Sequence, residues 1–200
     1  IADRDGYGLK PLTAREGLIY FYFAWAPDAH AMVALACKED EWNERERQSR
    51  TPAGRPRLIM PDGSERLLDD ELTEALPVWS PDASKVATAF GTDVAIYDAG
   101  TNTPTQARVR LRDQLVTASA AYDEAAAKRT APSPSPSPAA TPSPTSSREP
   151  ASFNPIIRIE WRSPETIYFQ TAYVRLRPIE AFTFSRWHQL NLSAQAAILK

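Results

Sequence analysis

The chain has 200 residues, of which 42% are hydrophobic and 10% aromatic, so its composition suffices for a packed core. Its formal net charge of −2 gives no broad basic surface, and nucleic-acid binding is therefore not indicated. The one cysteine, Cys37, excludes an internal disulfide, and no Cys/His spacing typical of a metal site occurs, so no metal or cofactor is expected.

The first apolar run, residues 17–24 (GLIYFYFA), predicts a strand, and its lack of alternation favours one covered by neighbours on both faces. Trp25-Ala26-Pro27-Asp28 then predicts a tight turn. Proline presets φ there, and the aspartate carboxylate can accept hydrogen bonds from nearby amides. Residues 32–37 (MVALAC) predict the next strand, in which Cys37 is expected to be buried and unreactive.

Residues 38–56 form a highly charged insertion, in which Trp42 is predicted to be an exposed aromatic side chain. Two interpretations stay open: a loop that binds a partner through Trp42, or a solvated and partly helical loop. After the insertion, Pro61-Asp62-Gly63-Ser64 separates two apolar runs. This pattern predicts a hairpin.

Residues 76–100 predict three short antiparallel strands joined by turns. Trp79-Ser80-Pro81-Asp82 repeats the earlier turn. Residues 85–90 (KVATAF) alternate between two faces, and residues 94–97 (VAIY) form the third run.

Three arginines, Arg108, Arg110 and Arg112, then alternate with apolar residues and predict an outer strand with one basic face. This face either grips an acidic partner or is charged decoration of a sheet edge. Residues 113–128 have an alanine-rich, helical composition. The Pro/Ser/Thr-rich tract that follows predicts an extended or disordered linker.

A third copy of the turn, Trp161-Arg162-Ser163-Pro164, has its proline displaced by one place. The first two turn tryptophans are 54 positions apart, and the next interval falls to 43 once residues 116–154 are left out. A period near 40–45 residues is typical of a four-stranded propeller blade. The recurrence of Trp25, Trp79 and Trp161 at one blade position favours packing between blades.

The Trp-Ser-Pro-Asp turn followed by an apolar strand resembles the WD40-like repeats of TolB-type (PD40-type) propellers, which also occur in prolyl-oligopeptidase-like peptidases. The resemblance covers most of the chain, and it is closest in the second repeat and most distant in the third. It implies an all-β fold, a partial β-propeller of about three to four four-stranded antiparallel blades. Residues 1–115 would hold the end of one blade and two repeats, residues 116–153 a low-complexity insertion, and residues 154–200 a further blade.

Propellers usually close with about 4–8 blades, so this length predicts a piece of a longer propeller. The alternative is a complete small β protein. Nucleophilic catalysis is not indicated, because there is no G-x-S-x-G elbow and neither histidine, His30 or His188, lies in a recognisable motif. No apolar run approaches the ~20 residues that a membrane-spanning helix needs.

The repeat predicts a non-catalytic scaffold that binds a protein or peptide through loops at the blade ends. One alternative is the accessory propeller of a prolyl-oligopeptidase-like serine hydrolase whose catalytic domain lies outside these residues. A catalytic propeller of the glycosidase or lactonase kind would need a cluster of carboxylates or a metal, which the sequence does not show. The TolB-like resemblance implies a periplasmic or otherwise extracytoplasmic location.

Overall fold

The structure is a computed structural model that describes residues 2, 5–8, 11–12, 15–100, 106–130, 152–153, 155–175 and 184–192. These residues form three antiparallel four-stranded sheets. The predicted Pro/Ser/Thr-rich linker lies outside them.

The first sheet is a simple meander in which each strand pairs with the next along the chain. Its elements are β1 (Leu18–Trp25), β2 (Met32–Lys38), the helix α1 (Glu39–Arg47), β3 (Arg55–Ile59) and β4 (Glu65–Leu67). β1 and β2 meet through the predicted turn, and α1 is inserted between β2 and β3. The register between β1 and β2 shifts at Phe21, so this edge strand carries a bulge.

The second sheet repeats this meander. It consists of β5 (Val78–Trp79), β6 (Lys85–Phe90), β7 (Asp93–Asp98) and β8 (Gln106–Arg110), and the helix α2 (Arg112–Thr130) follows it directly. The predicted strand therefore ends at Arg110, and Arg112 begins a helix instead of extending the basic face. The alanine-rich composition after Arg112 explains why the chain leaves the sheet there.

The third sheet is built from β10 (Ile156–Ser163), β11 (Thr166–Arg175) and β12 (Phe184–Asn191), while the short β9 (Ser152–Phe153) pairs with the far end of β11. β10 carries two register irregularities, one at Ile157 and one at Arg162.

The sheets stack face to face in chain order. One face of the second sheet, with Val86 and Phe90, packs on Val33 and Leu58 of the first sheet. Its other face packs on the third sheet, in a cluster that includes Ala87, Ala89, Ile96, Ile159, Ile167 and Phe169. The predicted alternation in β6 is confirmed. Both of its faces are buried because there is a sheet on each side.

The described residues are mostly strand, as the sequence predicts, and they do not close into a barrel or a ring. The prediction for β1 is wrong in one respect. Only its second-sheet side is covered by another described sheet, and Phe23 and Trp25 on the other face are 48% and 52% exposed. Continuous hydrophobicity therefore indicates an apolar face here, without showing what covers it.

Candidate functional site

The predicted turns share one geometry. In each, the aspartate accepts the backbone N–H two residues further on: from His30 to Asp28 (3.2 Å), Ser64 to Asp62 (2.8 Å) and Ser84 to Asp82 (3.2 Å). The residue between has positive φ: Ala29, Gly63 and Ala83. Pro27 and Pro81 are the exposed first residues of their turns. Each aspartate carboxylate therefore accepts a hydrogen bond within its own turn.

Two of the turn tryptophans link neighbouring sheets through the same bond. Trp79 Nε1 donates to the backbone oxygen of Ala24 (2.9 Å), and Trp161 Nε1 donates to that of Val78 (3.2 Å). Each acceptor is the residue just before the preceding sheet's own turn tryptophan. We call this arrangement the tryptophan ladder. Trp79 and Trp161 each contact the preceding sheet in this way.

The third turn differs from the other two. Pro164 and Glu165 form a two-residue connection between β10 and β11, and Ser163 pairs directly with Thr166. The aspartate of the other two turns is replaced by Glu165 here. Instead, its own N–H donates to Ser163 Oγ (3.3 Å). The displaced proline therefore gives a shorter turn while the ladder contact of Trp161 is kept.

The segment between β4 and β5, residues 69–75, is acidic and is held by arginines from three elements; we call it the acidic linker. Arg108 of β8 pairs with Asp69 (3.2 Å) and Glu71 (2.9 Å), Arg45 of α1 pairs with Glu74, and Arg55 of β3 donates to the backbone oxygen of Asp70 (2.7 Å).

Asp69 also accepts from Tyr97 Oη (2.7 Å) and from Gln106 (2.9 Å). Burial, followed by the bond to Asp69, raises the pKa of the Tyr97 hydroxyl. Of the three arginines proposed to bind an acidic partner, Arg108 is thus engaged by the chain's own carboxylates. Arg110 and Arg112 are exposed.

Trp42 lies on α1 and is half-buried, because its ring packs against Phe21 with the centroids 5.5 Å apart. The insertion is therefore helical and docked on the bulge of β1. The Glu41 carboxylate fixes the start of α1, because it accepts hydrogen bonds from both terminal guanidinium nitrogens of Arg55 (2.7 and 2.8 Å). This pairing lowers the pKa of Glu41 to about 2. Trp42 still borders a small cavity of about 170 Å³, so its predicted binding role stays a prediction.

A larger cleft of about 640 Å³ opens at the end of the stack opposite the aspartate turns. The acidic linker forms one wall, the β6–β7 turn forms another, and the start of β10 forms the third. Apolar atoms of Phe90, Ile156 and Ile157 lie beside the rim charges Arg50, Glu71 and Glu74. Ile157, at the β10 bulge, is 49% exposed, so its side chain is available to a bound molecule.

The described side chains form no group of three or more metal-binding residues. Cys37 is buried, and burial raises the pKa of its thiol. His188 stacks on Phe169 (5.1 Å) and lies 3.2 Å from Thr171 Oγ1, and burial lowers its pKa. His30 pairs with Asp28 and meets the edge of the Trp79 ring (5.7 Å), so it is less solvated than a turn position suggests.

Sequence reasoning missed the cleft and the acidic linker. The signal for the linker was present as DDELTEA, residues 69–75, between two apolar strands. The cleft gave no local signal, since its walls come from four separate segments that lie between residues 50 and 157.

No protein-family model matches this sequence, and no curated protein matches it. None of the helices described is long and apolar enough to cross a membrane.

Proposed function

We propose that the three sheets are consecutive blades of a TolB-like, WD40-like β-propeller, and that the protein is a non-catalytic scaffold that binds a peptide segment in the cleft. The repeated turns and the tryptophan ladder support the architecture, because blade after blade meets its neighbour through the same contact. The extracytoplasmic location implied by the resemblance belongs to the same proposal.

One observation supports the proposal that the cleft binds a peptide: the cleft combines a partly exposed apolar wall with charged side chains at its rim. About 640 Å³ falls within the ~300–1,000 Å³ typical of ligand sites. Ile157 and Phe90 offer contact for one apolar side chain. Arg50, Glu71 and Glu74 offer both donors and acceptors for the peptide backbone around it.

The geometry favours peptide over a reactive substrate. Glu71 and Glu74 are each paired with an arginine, so both carboxylates are engaged within the chain. The cleft's rim lacks a histidine, cysteine or serine among its described residues. This lining suits a polar chain with one apolar anchor.

The test is an array of peptides of about three to five residues that differ in one apolar position, followed by calorimetry on those that bind. We expect binders to require the apolar residue. Ile157→Asp should weaken them roughly tenfold or more, about 1.4 kcal/mol. Leu67→Asp is the matched control, because Leu67 is a similarly exposed aliphatic residue (43%) that does not line the cleft. Equal affinity for both variants, or no binder in the array, would sink the proposal.

A further inference from the structure

The loop that follows α1 separates the cleft from the small cavity beside Trp42. Arg50 lines both spaces. Thr51 lines the cleft, whereas Pro52 and Ala53 line the small cavity. The two cavities are therefore neighbours, and Arg50 lies where one passes into the other.

The backbone of this loop is held in place by the end of α1. The N–H of Arg50 donates to the backbone oxygen of Arg45 (2.9 Å), that of Ser49 donates to Glu46 (3.0 Å), and Ser49 has a φ of 52°. These are the two hydrogen bonds of a Schellman motif. Arg45 Nε also donates to the backbone oxygen of Thr51 (2.7 Å). The wall between the cavities is thus formed before a ligand binds, which reduces the entropy lost on binding.

The guanidinium of Arg50 differs from those of the arginines around it. Arg45, Arg55 and Arg108 each pair with a carboxylate. None of the ion pairs in the part of the chain that the structure describes includes Arg50, whose side chain makes only a long hydrogen bond to Gln48 (3.4 Å). Its planar donor group suits a carboxylate, which accepts two parallel hydrogen bonds from an arginine.

The small cavity adds an apolar surface next to this arginine. Trp42, Pro52 and Ala53 contribute ring and aliphatic carbons to its lining. One side of the Trp42 ring is already packed on Phe21, so the ring is held in position. A volume of about 170 Å³, against about 640 Å³ for the cleft, suits a single side chain.

The charges that line the small cavity favour an anion at Arg50. Arg45 and Glu46 also line it, and their opposite charges leave Arg50 as the excess positive charge. In the cleft, Glu71 and Glu74 are already paired with arginines. A negative group is therefore best accommodated between the two cavities and not inside either one.

We propose that the peptide bound in the cleft is acidic, with a carboxylate side chain on Arg50 and a second apolar side chain on Trp42. This proposal rests on the proposed function, because the first apolar residue still occupies the cleft beside Ile157. The recognised class is thus a peptide in which an acidic residue lies between two apolar ones. The Arg50 guanidinium donates to the carboxylate, and the Trp42 ring contacts the apolar side chain beyond it.

The experiment uses peptides with an apolar residue, glutamate and a second apolar residue, spaced about one to three positions apart. Calorimetry compares each with its glutamine counterpart. Replacing the peptide glutamate and Arg50→Gln should each weaken binding about fivefold, and the two losses should not add, because they remove the same contact. Arg47→Gln is the matched control, since Arg47 is an exposed arginine of α1 that lines neither cavity.

Exchanging the charges tests the contact without removing it. Arg50→Glu should weaken the glutamate peptide about tenfold, and it should bind a peptide with lysine at that position more tightly than the wild type does. Circular dichroism checks the fold of each variant. A lysine peptide that gains nothing from Arg50→Glu contradicts the contact.

Tryptophan fluorescence tests the second apolar contact. Trp42→Phe keeps an aromatic ring against Phe21, so the fold should be retained. We expect the peptide to change the emission of the wild type, and we expect most of that change to be lost in Trp42→Phe. The change should also be lost when alanine replaces the second apolar residue of the peptide. An emission change that persists in both cases contradicts the contact with Trp42.

The two proposals fail in different ways. If Ile157→Asp weakens binding while Arg50→Gln does no more than Arg47→Gln, the cleft binds peptides but the acidic class is wrong. If Arg50→Gln weakens binding while Ile157→Asp does no more than Leu67→Asp, the cleft is not the site, and a peptide that spans both cavities is ruled out as well.

Discussion

Single aspartates stabilise the tight turns of this chain. Asp82 accepts from Ser80 Oγ (2.6 Å), Ser84 Oγ (2.9 Å) and the Ser84 amide (3.2 Å), and these bonds lower the pKa of its carboxyl. The turn also holds Ala83 at a φ of 58°, a conformation that alanine rarely adopts. The carboxylate therefore stabilises a backbone geometry that the residue inside the turn does not favour.

Asp82→Ala should lower the free energy of unfolding by about 1 kcal/mol, since bonds to a mostly exposed carboxylate contribute modestly. Asp82→Asn is the control, because its side-chain oxygen still accepts from the amide. Urea unfolding followed by tryptophan fluorescence measures both. A loss in the asparagine variant as large as in the alanine variant would show that charge, and not the turn geometry, is what matters.

This turn could be predicted from the sequence, because the residues that form its hydrogen bonds are neighbours in the chain. Proline, aspartate and the two flanking serines all lie within five positions, and Pro81-Asp82 predicted both the turn and the carboxylate's role. The packing contact of Trp42 could not be predicted in the same way. Its partner, Phe21, lies on a strand bulge, and nothing in the charged sequence around Trp42 indicates that contact.

At the scale of elements, α1 is fixed by charge more than by burial, since none of its residues is fully buried. Glu41 holds it to β3 through both nitrogens of Arg55, and it also accepts from the Lys38 amide (2.9 Å). The bond from Arg55 is the main reason that the pKa of Glu41 falls from 4.5 to about 2.

The pairing predicts a specific pH dependence. Because the folded pKa of Glu41 lies below its ordinary value, its contribution is complete above about pH 4.5 and is lost as the pH falls towards 2. The difference in unfolding free energy between wild type and Glu41→Gln should therefore shrink across this window. Urea unfolding at several pH values measures it.

Arg55→Met supplies the control for that series. With the guanidinium gone, adding Glu41→Gln should no longer change how stability varies between pH 2 and 4.5. A pH dependence that persists in the Arg55→Met background would mean that the Lys38 amide, and not Arg55, holds the carboxylate.

The first strand of each sheet, which lies at a sheet edge, is short or irregular. β5 has two residues, β1 has a bulge at Phe21, and β10 has two irregularities. Short or bulged edges are poor templates for pairing with another strand. The sequence predicted the strands themselves but none of these irregularities, because a bulge depends on how two strands align and not on either run alone.

For the whole molecule, the two inter-sheet cores make the three sheets one packed body. Ile159 lies in the core between the second and third sheets and is 2% exposed, whereas Ile157, two residues earlier in the same strand, is 49% exposed. The pair offers a direct comparison between a contact that joins sheets and one that does not.

Ile159→Ala should lower the free energy of unfolding by about 2–5 kcal/mol, through lost burial and the cavity left behind. Ile157→Ala should cost about 0.5 kcal/mol or less. Circular dichroism and tryptophan fluorescence should give coincident transitions in both. Equal losses would contradict the stacking, and separated transitions would mean that the third sheet unfolds independently.

The order of the sheets was predictable from the spacing of Trp25, Trp79 and Trp161, because repeated turns mark repeated units. The cleft and the acidic linker were not predictable, since they arise only where one sheet's connection lies against the next sheet. Arg108 illustrates the difference. Its sequence context left open an acidic partner or charged decoration of a sheet edge, and the structure shows that Arg108 pairs with Asp69 and Glu71 of the chain itself.

The direction of the tryptophan ladder has a consequence for how the chain is made. Every donor belongs to the later sheet and every acceptor to the earlier one. Each sheet is also a meander of neighbouring segments, so it can form while the remainder is still being synthesised. Translation proceeds from the amino terminus, so the acceptor Ala24 is synthesised before its donor Trp79. In the same way, Val78 is synthesised before Trp161. The sheets can therefore dock in the order in which they are translated, because each tryptophan finds its acceptor in a sheet that has already been synthesised.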